Sequence, residues 1–178
     1  MELTPISQRF ILHWGEMGTR WGVNRTMAQI HALLFLAARP LNAEEIAETL
    51  SVARSNVSTS LKELQSWKLV KIVHQLGDRR DHFETSGDVW DLFRTIVLER
   101  KRRELDPTVD TLRECVNSED FANEAPDAQQ RIRSTLAFME TLSGWSEEMI
   151  RLEAETLMKI MNTGARIQQF LRGSKQGG

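Results

Sequence analysis

The residues with the clearest chemical character are crowded into a stretch of nine positions. Arg54, Ser55, Asn56, Ser58, Thr59, Ser60 and Lys62 are all polar, and the stretch reads as one face of a helix. Serine, threonine and asparagine are mediocre helix formers because they compete for backbone hydrogen bonds. A helix that is merely solvated would use Glu, Lys and Gln instead. Short hydroxyl and amide side chains on an exposed helix suit close approach to base edges and phosphates; a surface helix of unusual composition is the bland alternative. Residues 53–82 carry six Lys or Arg against three Asp or Glu, a local charge of +3 in a chain whose net charge is −2. Cations are thus concentrated where a phosphate backbone would lie. Arg79 and Arg80 follow Leu76-Gly77-Asp78, which reads with Arg79 as a hairpin tip, and from there an arginine can enter a minor groove. A solvated turn is the alternative reading of that pair. Asp78 and Asp81 read as carboxylates that hold the arginines in place.

Other chemistries lack their residues. His13, His31, His74 and His82 show no metal-ligand spacing beyond His13 with Glu16, which needs further ligands that no motif supplies. Gly15, Gly18 and Gly22 follow no strand, so they make no dinucleotide loop, and neither GxSxG nor a P-loop occurs. The single cysteine, Cys115, excludes an intrachain disulfide and a CxxC motif, and it reads as packed in a helix. No enzyme, cofactor or metal is expected. The five tryptophans include Trp14 and Trp21, seven apart and so on one helix face, with Glu16 nearby. Indole faces attract cations, which makes these three residues candidates for a ligand site; core or dimer packing is the alternative.

The elements that must position these residues are almost all helical. At 178 residues, with 40 % hydrophobic and 27 % charged positions, the chain is globular, one domain or a domain with a helical arm. It has no apolar run of ~18 residues and its first ten are too polar for a signal peptide, so a cytoplasmic protein without membrane contact is expected. A first helix over 4–20 carries a stripe of Ile6, Phe10, Trp14 and Met17 that continues to Trp21, weakened by its glycines and ended at Gly22. A second starts at Thr26, with Gln29 completing a capping box, and stops at Pro40. A short third is capped by Asn42 with Glu44 and Glu45 in its first turn. After Ser51-Val52 comes the polar helix, 53–67, then a strand at 69–74 and a short return strand at 81–85, the only β signal in the chain. Asp88 caps a helix to 104 with Val89, Phe93, Ile96 and Val97 inward. Further helices are predicted from Asp106-Pro107 to 116, over 126–142 and, after a break at Gly144, over 145–171, before a frayed end at 175–178. The last helix spreads Met149, Leu152, Leu157, Ile160, Met161, Ile167 and Phe170 over a face wide enough to call for a second subunit as well as its own chain; a buried helix in a monomeric bundle is the alternative.

Helix, short helix, tight turn, helix, strand and basic hairpin is the order of a winged helix-turn-helix. Residues 25–85 resemble the winged-helix core of MarR-type regulators, with NAEEIAETLSVARSNVSTSLKELQSWKLV (42–70) following their two helix-turn-helix helices and Asp78-Arg79-Arg80-Asp81 resembling their wing motif. The stretches HWGEMGTRWGVNRT, ARSNVSTSLKELQSW, GDRRDHFET and RTIVLERKRRELDP resemble the GbsR-like branch. That resemblance implies a dimeric repressor with Arg54, Ser55, Asn56, Ser58, Thr59 and Lys62 on the recognition helix and Arg80 on the wing. It also implies an effector of choline or glycine betaine type. The expected organisation is an N-terminal dimerisation and ligand helix (1–24), a DNA-binding winged helix (25–86) and a helical dimerisation region (87–178). The expected partners are a double-stranded operator, a second copy of the chain and a small molecule. A winged helix that binds protein instead of DNA is the alternative.

Overall fold

A computed structural model describes residues 2–174; the frayed end expected at 175–178 lies outside them. The chain parts into two compact units, Met1–Ile96 and Val97–Gly178. The first contains α1 (Pro5–Arg20), α2 (Arg25–Leu36), β1 (Leu41–Asn42), α3 (Ala43–Leu50), α4 (Arg54–Ser66), β2 (Lys71–Gln75), β3 (Asp78–Glu84) and the start of α5 (Val89–Arg100). The strands form an antiparallel sheet in the order β1-β3-β2. The third strand was not expected: Leu41 pairs with Phe83 and Asn42 with His82. Two residues are too few for period-two alternation to show in a sequence.

Helix α1 begins where Thr4 accepts a hydrogen bond from the Ser7 N–H and Pro5 occupies the first turn. It ends at Gly22, whose φ of +76° few other residues adopt. The Val23 N–H there donates to the Gly18 carbonyl at 2.8 Å, and the Gly22 N–H to the Thr19 carbonyl at 3.1 Å, the paired bonds of a Schellman end. The expected stripe is covered only in its middle: Phe10 and Trp14 pack half-buried against the core, Ile6 is 82 % and Trp21 59 % exposed, and the fully buried positions are Ile11, Gly15 and Gly18. The reason is close packing on α2. A Cβ on Gly15 would stand 2.7 Å from Gln29 Cγ, and one on Gly18 only 2.6 Å from Ala28 Cβ. Two glycines that weaken the helix locally let the two helices approach to backbone distance.

Helix α2 is capped by Asn24, which accepts from the Met27 N–H at 3.2 Å, and not by Thr26. It ends at Leu36, ahead of Pro40, once Ala37 turns extended. Nearly every side is buried, through Met27, Ile30, Leu33 and Leu34. These join Ile11, Leu41, Ile46, Val57, Leu61, Leu64, Val70 and Phe83 in one core. His31 is also buried there. Thr85 Oγ1 donates to the Leu69 carbonyl at 2.7 Å, so its lone pair accepts from His31 Nε2–H at 3.3 Å. Burial pushes the imidazole down from 6.5 to about 4.

In the second unit, α5 passes into a π-helical turn (Lys101–Leu105), then α6 (Asp106–Asn117), a 3-10 turn (Glu119–Asn123), α7 (Pro126–Arg151) and α8 (Ala154–Ser174). Gly144 does not break α7. One interior glycine costs only ~1 kcal/mol, and the helix stops instead at Leu152, whose ψ is 146°. Along α5, Val89 and Phe93 are exposed, contrary to expectation, and Leu92 and Glu99 are buried. Glu99 accepts from Arg102 at 2.5 Å and Arg103 at 3.2 Å. Lys101 lies between Asp106 at 2.6 Å and Glu147 at 2.8 Å. Cys115 is exposed rather than packed. So are Phe138, Trp145, Met158, Ile160 and Met161; the side chains of Ile167 and Phe170 lie outside the described part. Among the described residues, no helix is long and apolar enough to cross a membrane.

Gly18→Ala is expected to destabilise the protein by up to about 2 kcal/mol, because the overpacking cost of ~1–3 kcal/mol is offset by only ~1 kcal/mol gained in helix propensity. Ala28→Gly should restore most of the loss in urea unfolding; equal loss in the single and double variants would contradict the contact. A second expectation concerns pH. Unfolded His31 takes up a proton near pH 6.5 but the folded imidazole only near 4, so the unfolded state binds more protons between those values. Stability is full above pH 6.5 and falls by up to about 3 kcal/mol as pH drops to 4. Unfolding free energies at pH 7, 5.5 and 4 should show this slope, reduced in His31→Gln.

Candidate nucleic-acid interface

The helix pair α3–α4 is set against the sheet by Asn42. This residue belongs to β1 and also caps α3: its Oδ1 accepts from the Glu45 N–H at 3.0 Å, and its own N–H donates to Glu45 Oε2 at 2.9 Å. The expected cap is therefore a complete capping box. Arg39 donates to the other Glu45 oxygen at 2.5 Å and holds that carboxyl below its usual range. The tight turn to α4 follows from Ser51 in the left-handed region (φ 53°), with the Val52 N–H returning to the Ala47 carbonyl at 3.0 Å.

Helix α4 buries Val57, Ser60, Leu61 and Leu64. Ser60, counted on the outward face from the sequence, points in. Arg54, Ser55, Asn56, Ser58, Thr59 and Lys62 are all exposed. No side chain caps this helix, because its N-cap is Ala53. Its first-turn N–H groups are therefore open to an external acceptor such as phosphate.

The wing differs from the expected hairpin in where it turns. Gln75 pairs with Asp78, so Leu76-Gly77 alone form the tip, with Gly77 at φ +84°. Asp78, Arg79 and Arg80 lie on β3, which makes the return strand seven residues long rather than short. Asp78 holds Arg80 as a fork, accepting from Nε at 3.0 Å and Nη2 at 2.5 Å, and it also accepts from the Arg80 backbone N–H at 3.0 Å. Those bonds keep the Asp78 carboxyl far below the usual carboxylate range. Asp78 thus positions an arginine, as expected. Asp81 instead lies 3.9 Å from His74. Arg79 is exposed, with no hydrogen bond or ion pair among the described residues. Between α4 and the wing runs an open groove of about 400 Å³, lined by Glu44, Arg54, Ser58, Lys62, Arg80 and Asp81 among others.

A MarR family model matches residues 21–81. A crystal structure of a transcriptional regulator is similar at a TM-score of 0.69 and 17 % identity, over 82 % of this chain and 96 % of that one. The fold is a MarR-type winged helix. Looser likenesses are to a MepR–DNA complex from S. aureus (TM-score 0.38, 16 % identity, 79 % of this chain and 98 % of that one) and to YusO from Bacillus subtilis (0.37, 18 %, 92 % and 85 %). No curated protein gives a match.

The winged helix brings Arg54, Ser58, Lys62 and Arg80 to one groove and leaves Trp14, Glu16 and Trp21 away from its lining. Trp14 is half-buried and stacks on Phe10 with centroids 5.4 Å apart, and Phe10 in turn meets Phe35 at 6.5 Å. Trp21 and Glu16 are exposed. Two carboxylates at the interface escaped sequence reasoning: Glu44, 2.7 Å from Arg54, and Glu84, 2.9 Å from Lys71. Both pairs join residues at least ten positions apart, beyond any helical or strand period. Among the described residues, no group of three His, Cys, Asp or Glu could hold a metal ion.

Asp78→Asn should release the Arg80 fork. In spectra of the arginine side chains the Arg80 Nε–H signal is expected to move to the position of a free guanidinium while that of Arg79 stays; an unmoved Arg80 signal would contradict the clamp.

Proposed function

We propose that this chain is a sequence-specific regulator of transcription that binds double-stranded DNA, with α4 in the major groove and the wing beside it. The observation that carries the reading is the exposed Arg54–Lys62 face of α4, short-chained and acid-free, next to two wing arginines in a chain of net charge −2. Arg54 and Asn56 are the base-reading candidates, since Arg pairs with guanine and Asn with adenine edges. Ser55, Ser58, Thr59, Lys62, Arg79 and Arg80 supply phosphate or groove contacts.

The working form is a homodimer, with the domain division 1–24, 25–86 and 87–178. Phe138, Trp145 and Met161 leave a broad apolar surface on α7 and α8, and a second copy would cover it. Two recognition helices would then meet half-sites about 34 Å apart. The GbsR-like resemblance extends the reading to a repressor relieved by a methylated cationic amine held by Trp14, Trp21 and Glu16. Trp21 and Glu16 are exposed, and Trp14 stacks on Phe10. Relief would follow if the ligand prefers a dimer geometry that misplaces the recognition helices.

The test is binding to a duplex selected by the parent protein from a random pool, followed by anisotropy at two salt concentrations. Arg54→Ala and Asn56→Ala should each relax discrimination by ~1–3 kcal/mol. Arg80→Ala should weaken selected and random duplexes alike and lower the salt slope by about one. Operator binding unchanged in Arg54→Ala would contradict the placement of the recognition helix. Light scattering should give a dimer, and choline or glycine betaine should lower DNA affinity in the parent but not in Trp21→Ala.

A further inference from the structure

We propose that Glu44 is an acidic counter-ligand built into the DNA face. It holds Arg54 in place and penalises binding to random sequence. The inference rests on the DNA-binding reading above and names a residue that sets its specificity.

Three observations carry it. First, Glu44 Oε1 lies 2.7 Å from Arg54 Nη2, joining the first turn of α3 to the first residue of α4. Second, Glu44 lines the groove that also receives Ser58, Lys62 and Arg80, and its charge acts on Arg80 as well as on Arg54. Third, its backbone is fixed. Glu44 stands one position before Glu45, the reciprocal partner of Asn42 in the capping box, so it cannot drift from the groove without undoing the start of α3.

A carboxylate in that place works against loose binding. In a non-specific complex Arg54 would act as a phosphate counter-ion, and Glu44 would either cancel it or stand beside the phosphates as a like charge. In the specific complex the same carboxylate leaves part of the guanidinium fork free and aimed, which suits a bidentate base contact. An exposed pair of this kind contributes little to fold stability, so its effect should be read in DNA binding.

The experiment compares the parent, E44Q, E48Q, R54Q and E44Q/R54Q on a random-sequence 30-bp duplex and on the duplex selected by the parent, each at two salt concentrations. Glu48 lies one turn along α3 and makes no ion pair among the described residues, so E48Q carries the same charge change without the contact. E44Q is expected to tighten random-duplex binding roughly threefold to tenfold and to steepen its salt slope by about one. The preference for the selected duplex should shrink. E48Q should change random binding less than about twofold, and in the R54Q background the E44Q effect should be clearly smaller, what remains acting through Arg80 and the phosphates. Equal effects of E44Q and E48Q, or an E44Q effect undiminished without Arg54, would overturn the proposal and leave the DNA reading standing. A parent protein that binds no duplex would overturn both.

Discussion

Asn42 is the joint on which the interface depends. It is 2 % exposed, it pairs with His82 as part of the sheet, and its side chain starts α3 through the Glu45 capping box. A buried amide without partners is costly, so the same residue must satisfy strand and helix together. That requirement fixes the end of β3 against the beginning of α3. The Ser51 turn then fixes α4, and the hairpin carries Arg79 and Arg80 out from the far end of β3. Helix α4 and the wing are oriented together because both depend on one side chain.

Behind that joint the core is simple. α2 is buried on almost every side, and α1 lies on it at a distance that only Gly15 and Gly18 permit. His31 reaches from α2 to Thr85, and through it to Leu69, at the two places where the chain enters and leaves the hairpin. The wing is thus tied to the core at its root by a neutral imidazole. The face turned outward is mixed rather than uniformly basic, since Arg54, Lys71 and Arg80 each have a carboxylate partner, while Lys62 and Arg79 have no ion pair among the described residues. On the proposed reading, a face so tempered would favour a duplex that offers the right hydrogen bonds over one that offers charge alone.

Much of this was legible in the residues. The Asn42 cap, the Gly22 end, the polar face of α4 and the Asp78–Arg80 clamp are local features, spaced within a helical turn or across one strand, where side-chain chemistry decides geometry. What the residues did not disclose was decided at a distance. On α1 the middle of the aromatic stripe, Phe10 and Trp14, does pack on the core, but the closest contact with α2 is made by Gly15 and Gly18, because close approach there depends on the partner helix. β1 is two residues long and exists only because β3 runs beside it. Gly144 interrupts the helical pattern in the residues, yet α7 continues through it. The Glu44–Arg54 pair joins two helices whose relative placement no periodicity encodes.

The central claim is that α4 and the wing meet DNA as one surface, and amide hydrogen exchange of the full chain with and without a selected duplex tests it most directly. The account predicts slowed exchange at the start of α4, whose first N–H groups have no side-chain cap, and at the Leu76-Gly77 tip, with α1 and α2 unchanged. Protection confined to other elements, or none at saturating duplex, would contradict it.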